Sequence, residues 1–388
     1  MKNNIGSSKM LYSIAIPVLG QASFLPTALS SIQAQSCRFQ LAVMDATPDN
    51  SVQDVLKNYS EILSYHRHGP DAGQSAAIQE GWDHTDGDVV AWLCADDYYF
   101  PYTLEEVDKI FASHPEVDVV YGDSVFVDRD GNFLSYFIEV SDDIASILQS
   151  CCISQPSCFI RRSALHKIGE LDASLHYIMD WDLWTRLYKA GAKFHYLSKP
   201  LSAVRMYPET KTASRSKKRY AEINRHLKNN VGFFTRIRSL LGFYYYDLLI
   251  GKTSMMDRIV FHGINLLRSI KKVVWKHSSK RSTVLYGFES YSNKVYGECE
   301  ILLPFYGNCM PRQIVVECRD VNTLQVYING GLKNVVSVTG IVDGCRYVVE
   351  INDYLIGNLL RLNLQSKSTK PWHLVSIKFL PNSGITLA

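Results

Sequence analysis

The chain has 388 residues and a formal net charge of +3, with 46% hydrophobic and 20% charged residues. This composition excludes a disordered chain, and the length predicts two domains joined by a connector. The nine cysteines include no Cys-x-x-Cys pair, and the first ten residues are mostly polar. We therefore expect reduced thiols in a cytosolic protein without a signal peptide.

Positive charge is concentrated in one part of the chain. Residues 213–281 contain 16 Lys and Arg against 3 Asp and Glu, whereas the remainder contains 25 against 35. This asymmetry predicts an anionic partner for that segment rather than for the whole surface.

The first third of the chain alternates short apolar runs with segments of helical periodicity. The runs predict strands at residues 13–18, 41–44, 63–66, 89–94 and 117–121. This alternation predicts a doubly wound α/β sheet. Three of the strands are followed by acids, at Asp45, Asp71 and the pair Asp96 and Asp97, so we expect these carboxylates to share one edge of the sheet.

The fourth strand ends abruptly at Asp96 and Asp97, and Pro101 follows. Such a pair can place one carboxylate on a divalent cation and the other on a sugar hydroxyl. Mg²⁺ and Mn²⁺ suit this arrangement, because substrate phosphates and water complete their coordination shell. The alternative is that Asp96 caps a helix beginning near Tyr102.

The loop after the third strand, residues 69–75, is rich in glycine. Gly69 and Gly73 allow close backbone approach, Asp71 can accept from a base or ribose, and a helix starting near Gln74 would direct amide donors at an anion. An ordinary strand-to-helix turn would have the same composition.

A second acidic cluster lies at the start of a predicted helix, where Asp180 and Asp182 flank Trp181. The helix dipole stabilises carboxylates at this end, and a sugar ring can stack on a tryptophan. The alternatives are that Asp180 is a helix cap and that the tryptophan belongs to the core.

The later chain changes character twice. Residues 213–281 alternate basic and apolar residues without a bilayer-spanning apolar run, which indicates basic amphipathic helices that either lie on an anionic membrane or pack as a connector. From about residue 282, short alternating runs separated by turns predict a β-sandwich. Three roles stay open for it: binding glycan, pairing subunits, or packing alone. No nucleic-acid recognition motif accompanies the charge.

Taken together, these motifs resemble glycosyltransferase family 2, the inverting GT-A type that uses nucleotide-sugars. The resemblance covers about residues 12–212. The motifs that carry it, in chain order, are residues 16–17, Asp45, residues 69–75, residues 92–97 with Pro101, and residues 121–123, 155–157, 179–184 and 204–205.

The resemblance implies a role for each of the following residues. Pro17, Asp45, Asp71, Gln74 and Asp96 would bind the donor, Asp97 would bind Mn²⁺ or Mg²⁺, Asp180 would be the catalytic base, and Trp181, Asp182 and Arg205 would lie on the acceptor side.

Two departures from the family pattern concern the metal. Ala95 occupies the first position of the Asp-x-Asp-like motif, and Tyr207 stands where the family usually has a histidine. A neutral phenol is a poor ligand compared with imidazole. Metal affinity would be weaker, or His195 or water would substitute.

We therefore predict a GT-A domain over residues 1–212, a basic helical connector over 213–281 and a β-sandwich over 282–388. The predicted function is metal-dependent, inverting transfer of a hexose to a glycan or lipid-linked glycan in bacterial surface-polysaccharide synthesis. The predicted location is cytoplasmic, with contact to the inner face of the plasma membrane and a homo-oligomer as a further possibility.

Two rival functions are also considered. One is a catalytically weak protein that only binds nucleotide-sugar or glycan. The other is a nucleotidyltransferase, which expects a Gly-rich loop with an Arg straight after the first strand; residues 18–21 do not provide it.

Overall fold

The computed structural model describes residues 10–137, 142–211 and 216–250. Nearer the C-terminus it describes residues 284–286, 288–289, 294–295, 297–306, 313–321, 323–333, 335–341, 344–350, 358–366 and 371–380. Residues 213–215 and 251–281 of the predicted connector lie outside this set.

Nine strands of the N-terminal part form a single sheet. They are β1 (Tyr12–Val18), β2 (Phe39–Asp45), β3 (Leu63–His68), β4 (Val89–Trp92), β5 (Tyr98–Tyr99), β6 (Val119–Val127), β7 (Phe133–Tyr136), β8 (Cys158–Arg161) and β9 (Phe194–Arg205). Their order is β3-β2-β1-β4-β8-β6-β9-β5, and β7 pairs with β6. Neighbours among β1–β4 run parallel, as do β6 and β9, whereas β8 is antiparallel to β4 and β6.

Eight α-helices are described. They are α1 (Leu25–Gln33), α2 (Ser51–Leu56), α3 (Gln74–Asp83), α4 (Thr103–Ser113), α5 (Arg162–Ile168), α6 (Met179–Lys189), α7 (Lys217–Asn230) and α8 (Phe233–Ile250). Three short 3-10 helices are also described, at Lys57–Ile62, Ile144–Leu148 and Gln155–Ser157. The predicted α/β class is confirmed as a GT-A-like mixed sheet, in which the returning strand β8 interrupts the parallel order.

Alternating residues of β1 explain why helices cover both faces of the sheet. Ile14 and Ile16 are fully buried in a core that includes residues of α1 and α4, whereas Ala15 belongs to a second core with residues of α3 and α6. Side chains of successive strand residues point to opposite faces, so a strand that is apolar throughout needs a layer of helices on each side.

The C-terminal part forms two antiparallel sheets, as the alternating runs predict. One has the order β10-β11-β12-β20-β14-β18-β17 and the other β13-β19-β15-β16. The strands are β10 (Val284–Leu285), β11 (Phe288–Glu289), β12 (Lys294–Val295), β13 (Glu298–Pro304), β14 (Gln313–Arg319), β15 (Leu324–Ile328), β16 (Gly331–Lys333), β17 (Val335–Ile341), β18 (Gly344–Glu350), β19 (Leu359–Ser366) and β20 (Trp372–Leu380).

These C-terminal sheets share a continuous apolar core with the N-terminal domain. Val125 of β6 and Phe133 of β7 are buried in one cluster with Ile314 of β14 and Leu362 of β19. Polar contacts fix the register of the junction. The Tyr136 hydroxyl donates to the Glu300 carbonyl at 3.1 Å and accepts from the Leu302 amide at 3.1 Å. The sandwich is therefore packed onto the sheet rather than tethered to it.

We expect Tyr136→Phe to destabilise the protein by about 1–2 kcal/mol, because it leaves the buried Leu302 amide without its acceptor. Chemical denaturation followed by circular dichroism measures this loss. Tyr327→Phe, at a half-buried tyrosine of β15, is the matched control and should change stability by less. Equal stability of the Tyr136 variant and the wild type would show that the hydroxyl does not hold the junction.

Candidate functional site

The acid pair lies in a tight turn at the carboxyl end of β4. The Asp97 amide donates to the Cys94 carbonyl at 3.0 Å, which reverses the chain. Asp97 is only 7% exposed, and its Oδ1 accepts from the Arg205 amide at 3.0 Å. Burial, and then the neighbouring Asp96 charge, raise the Asp97 pKa well above its usual range. A carboxylate in this environment gains stability from a nearby cation.

Arg205, the last residue of β9, braces this turn. Its Nε donates to the Asp96 carbonyl at 3.0 Å and its Nη1 to the Arg129 carbonyl at 2.9 Å. The guanidinium also lies over the rings of Phe24 and Tyr98, at 4.9 and 5.1 Å from their centroids. Arg205 is 7% exposed, so these contacts assign it to positioning the acids. Its predicted place on the acceptor side stays a prediction.

Tyr207 contacts the acid pair, as its place in the family pattern suggested. Its hydroxyl donates to Asp96 Oδ2 at 2.6 Å. Burial and this hydrogen bond raise the Tyr207 pKa, so the phenol stays neutral and donates. The idea that Asp96 caps a helix is wrong, because α4 begins at Thr103 and its cap has no side-chain hydrogen bond.

His195 cannot take the place of the missing imidazole. It pairs with Val120 of β6 whereas Arg205 pairs with Val127, so the two residues lie about 23 Å apart along the sheet. Its ring instead contacts that of His114, with centroids 5.3 Å apart.

Three side chains of the turn form a cluster that fits a divalent cation. The ligand atoms of Cys94, Asp96 and Asp97 lie within 4.8 Å of one another. Burial raises the Cys94 pKa well above its usual range, so the thiol stays protonated and the two carboxylates carry the charge. Two hard oxygen donors with room for phosphate oxygens suit Mg²⁺ or Mn²⁺ better than Zn²⁺.

A cavity of about 250 Å³ joins this turn to the second acidic cluster, because both Asp97 and Asp180 line it. Asp180 lies in the first turn of α6, and its Oδ1 accepts from the Trp181 amide at 2.7 Å. Burial raises the Asp180 pKa to about 6, against the opposing effects of backbone hydrogen bonds and Lys211. A carboxylate with this pKa can accept a proton near neutral pH.

Lys211 lies in the same cavity and was not predicted from the sequence. Its Nζ donates to Gln74 Oε1 at 2.7 Å and to the His176 carbonyl at 3.4 Å. Burial lowers its pKa. The lysine follows the last motif by six residues, and only the basic character of the region could have pointed to it.

The remaining predicted donor residues lie along the same edge of the sheet. Pro17 is the penultimate residue of β1, Asp45 is the last residue of the paired strand β2, and Asp71 follows β3. Asp45 is fully buried and its Oδ2 lies 2.7 Å from His68 Nδ1. Asp71 Oδ1 accepts from the Gly73 amide at 2.8 Å. Gly73 has a φ of +108°, which favours glycine immediately before α3.

The two acceptor-side candidates on α6 have different surroundings. Trp181 is 1% exposed, lines the cavity and packs its ring against Phe243, with centroids 5.3 Å apart. Asp182 does not line that cavity; its Oδ2 accepts from Arg186 Nε at 2.8 Å. Their proposed contacts with acceptor stay predictions.

Comparison with known proteins identifies the family. The model of glycosyl transferase family 2 matches residues 13–169. A PGL/p-HBAD biosynthesis glycosyltransferase of Mycobacterium tuberculosis is 30% identical over 188 residues, which are 47% of this chain and 71% of that protein. The chain belongs to glycosyltransferase family 2.

Other similarities cover less or are more remote. An uncharacterized glycosyltransferase of Rickettsia conorii is 25% identical over 215 residues. The matched region is 51% of this chain but only 34% of that relative. The structure of S. aureus TarS residues 1–349 in complex with UDP-GlcNAc superposes with a TM-score of 0.49 and 16% identity, covering 69% of this chain and 82% of that 1–349 chain.

We expect Tyr207→His to tighten Mn²⁺ binding by about tenfold, because an imidazole nitrogen replaces a phenol that donates to Asp96. Mn²⁺ titration followed by electron paramagnetic resonance measures this without any sugar donor. Tyr207→Phe is the control, since it removes the hydroxyl but adds no ligand. An affinity that rises equally in both variants would mean that loss of the phenol's hydrogen bond, and not the imidazole, improves binding.

Proposed function

We propose that this protein is an inverting, metal-dependent glycosyltransferase that moves a hexose from a nucleotide-diphosphate sugar to an acceptor hydroxyl. The observation that carries the proposal is the single cavity lined by both Asp97 and Asp180. One carboxylate is suited to a cation beside the diphosphate, and the other, with a pKa of about 6, is suited to accept a proton.

The proposed reaction breaks one bond and forms another at the anomeric carbon. The acceptor oxygen attacks from the face opposite the diphosphate, and the C1–O bond to the diphosphate breaks, leaving its electron pair on the departing nucleoside diphosphate. Asp180 accepts the proton of the acceptor hydroxyl. General base catalysis of this kind typically contributes about 10²–10⁴ in rate.

Asp97 would hold Mn²⁺ or Mg²⁺, which would supply positive charge to the departing diphosphate. Lys211, in the same cavity, adds a second cation on the protein itself. Asp45 and Asp71 would accept from the base and ribose, and Asp96 from the ribose or donor sugar. The fully buried Asp45 already contacts His68 through Oδ2, at 2.7 Å, and accepts from the Thr47 amide through Oδ1, at 2.8 Å.

The proposed acceptor is a glycan or lipid-linked glycan of bacterial surface-polysaccharide synthesis. The relatives from Mycobacterium tuberculosis and Rickettsia conorii are both named glycosyltransferases. The proposed place of action is the cytoplasmic face of the plasma membrane. Pairing of subunits, through a sandwich edge or otherwise, remains a further proposal.

The test is hydrolysis and transfer from a panel of UDP-, GDP- and dTDP-sugars with Mn²⁺. We expect one donor to be consumed, and Asp97→Ala and Asp180→Asn to lower kcat/KM by at least about 10². Asp180→Asn should still bind that donor in calorimetry. Because Asp180 must be ionised to act, wild-type kcat/KM should fall as the pH drops below about 6.

Glu105→Gln is the matched control, because Glu105 is also an acid in the first turn of a helix but is 52% exposed at its side chain and outside the cavity. Donor binding without turnover by the wild type would favour the rival nucleotide-sugar-binding function. Equal activity of wild type and both cavity variants would make the carboxylates structural.

The proposed membrane contact rests on α7 and α8, the described helices of the basic segment. On α8, the side chains of Phe233, Phe234, Ile237 and Leu241 are 62%, 87%, 41% and 50% exposed. Their spacing places them along one helical face. Arg238 of the same helix and Lys217, Lys218, Arg225 and Lys228 of α7 are also exposed. Apolar side chains beside basic ones suit the interface of an anionic bilayer. None of the described helices is long and apolar enough to span a membrane.

We expect the double substitution Phe234→Ser and Ile237→Ser to weaken binding to phosphatidylglycerol-containing vesicles by at least about tenfold in flotation assays, because it removes two apolar anchors. Leu134→Ser, at a leucine of β7 that is 40% exposed, is the control. Wild-type binding should also fall with salt. Vesicle binding equal in the double variant and the control would disprove this contact.

A further inference from the structure

The cavity lined by Asp97 and Asp180 has a largely apolar remainder. Its lining includes Phe126, Phe137, Ile153, Val204, Ile223 and Phe243. Phe126 and Phe137 meet edge to face with ring centroids 5.3 Å apart, and Phe243 packs on Trp181. A donor sugar and diphosphate need polar partners, so these apolar walls are suited to the acceptor rather than to the donor.

Polar side chains near these walls already have partners. Arg219 donates to both oxygens of Asp247, at 2.9 and 2.7 Å. Ser154 Oγ accepts from Ser124 at 2.6 Å. Within the described lining, the indole N–H of Trp92 is the one buried side-chain donor without a partner. A sugar unit buried here would lose water from several hydroxyls without gaining hydrogen-bond partners, which disfavours its binding.

Helix α8 links this cavity to the exposed apolar face described above. Phe243 lines the cavity, while Phe233 and Phe234, at the start of the same helix, are exposed beside basic residues. One helix therefore presents apolar side chains both to the site and to the surface suited to anionic lipid.

We propose that the acceptor is a lipid whose alkyl chain begins close to the reacting hydroxyl, so that its first methylene groups occupy the apolar part of the cavity. This rests on the proposed function, since the hydroxyl must reach Asp180. The inference excludes a free, fully polar glycan as the preferred acceptor.

The experiment compares methyl and octyl β-glucoside, which differ only in the alkyl chain, as ligands of the full chain with Mn²⁺. Isothermal titration calorimetry is carried out below the micelle concentration of octyl glucoside. We expect octyl glucoside to bind at least about tenfold more tightly, because apolar surface is removed from water. Phe126→Ala and Phe243→Ala should bring the ratio of the two affinities close to one.

Phe379→Ala is the matched control, because Phe379 is a half-buried phenylalanine of β20 that packs on another ring, Phe305, outside the cavity. It should keep the wild-type ratio. Phe126→Leu keeps a smaller apolar side chain and replaces the alanine variant if that variant does not fold; an intermediate ratio is expected for it.

A ratio near one in the wild type overturns the proposal, and so does a ratio that both cavity variants retain, since that places the alkyl chain elsewhere. Donor hydrolysis is measured on the same preparation. If the donor is hydrolysed but the ratio of the two glucoside affinities is near one, the proposed glycosyltransferase function stands and the lipid inference fails. A high ratio that the cavity variants lose, without binding or hydrolysis of any donor, means that the lipid site stands and the proposed function fails.

Discussion

The arrangement of the site depends on one arginine that ties the end of β9 to the turn after β4. Arg205 contacts the acid turn with its backbone amide and its side chain, and its guanidinium is enclosed by two aromatic rings. The two strands are distant in sequence, so the paired acids are positioned only when the sheet is complete. Buried, charge-assisted hydrogen bonds of this kind fix geometry more strongly than exposed ion pairs do.

The site holds its charges in an unfavourable environment. Burial disfavours ionisation of Asp97 and Asp180, and it also disfavours protonation of Lys211. Such groups reduce the stability of the empty protein, and they become favourable when a ligand of opposite charge binds. In the proposed reaction the cation and the diphosphate supply those charges together, which couples their binding.

The sequence predicted those parts of the structure that depend on local pattern. Asp45 ends the parallel strand β2, and Asp71 and Asp96 follow the parallel strands β3 and β4, so their shared edge was predictable from strand order alone. Lys211 was not, because no periodicity marks a residue in a loop that reaches the cavity through tertiary contacts. Asp182 and Trp181 are neighbours with similar predicted roles, yet one lines the cavity and the other binds Arg186. The two side chains point in different directions because successive residues of a helix are rotated by about 100° around its axis.

The continuous core between the sheet and the sandwich has a consequence for how the protein unfolds and how it can change. Val125 and Phe133 belong to the same cluster as Ile314 and Leu362, so neither part can lose its structure without exposing apolar surface of the other. The two should melt in a single cooperative transition. For the same reason, this sandwich cannot be exchanged for that of another protein unless the residues of β6 and β7 that pack against it change as well.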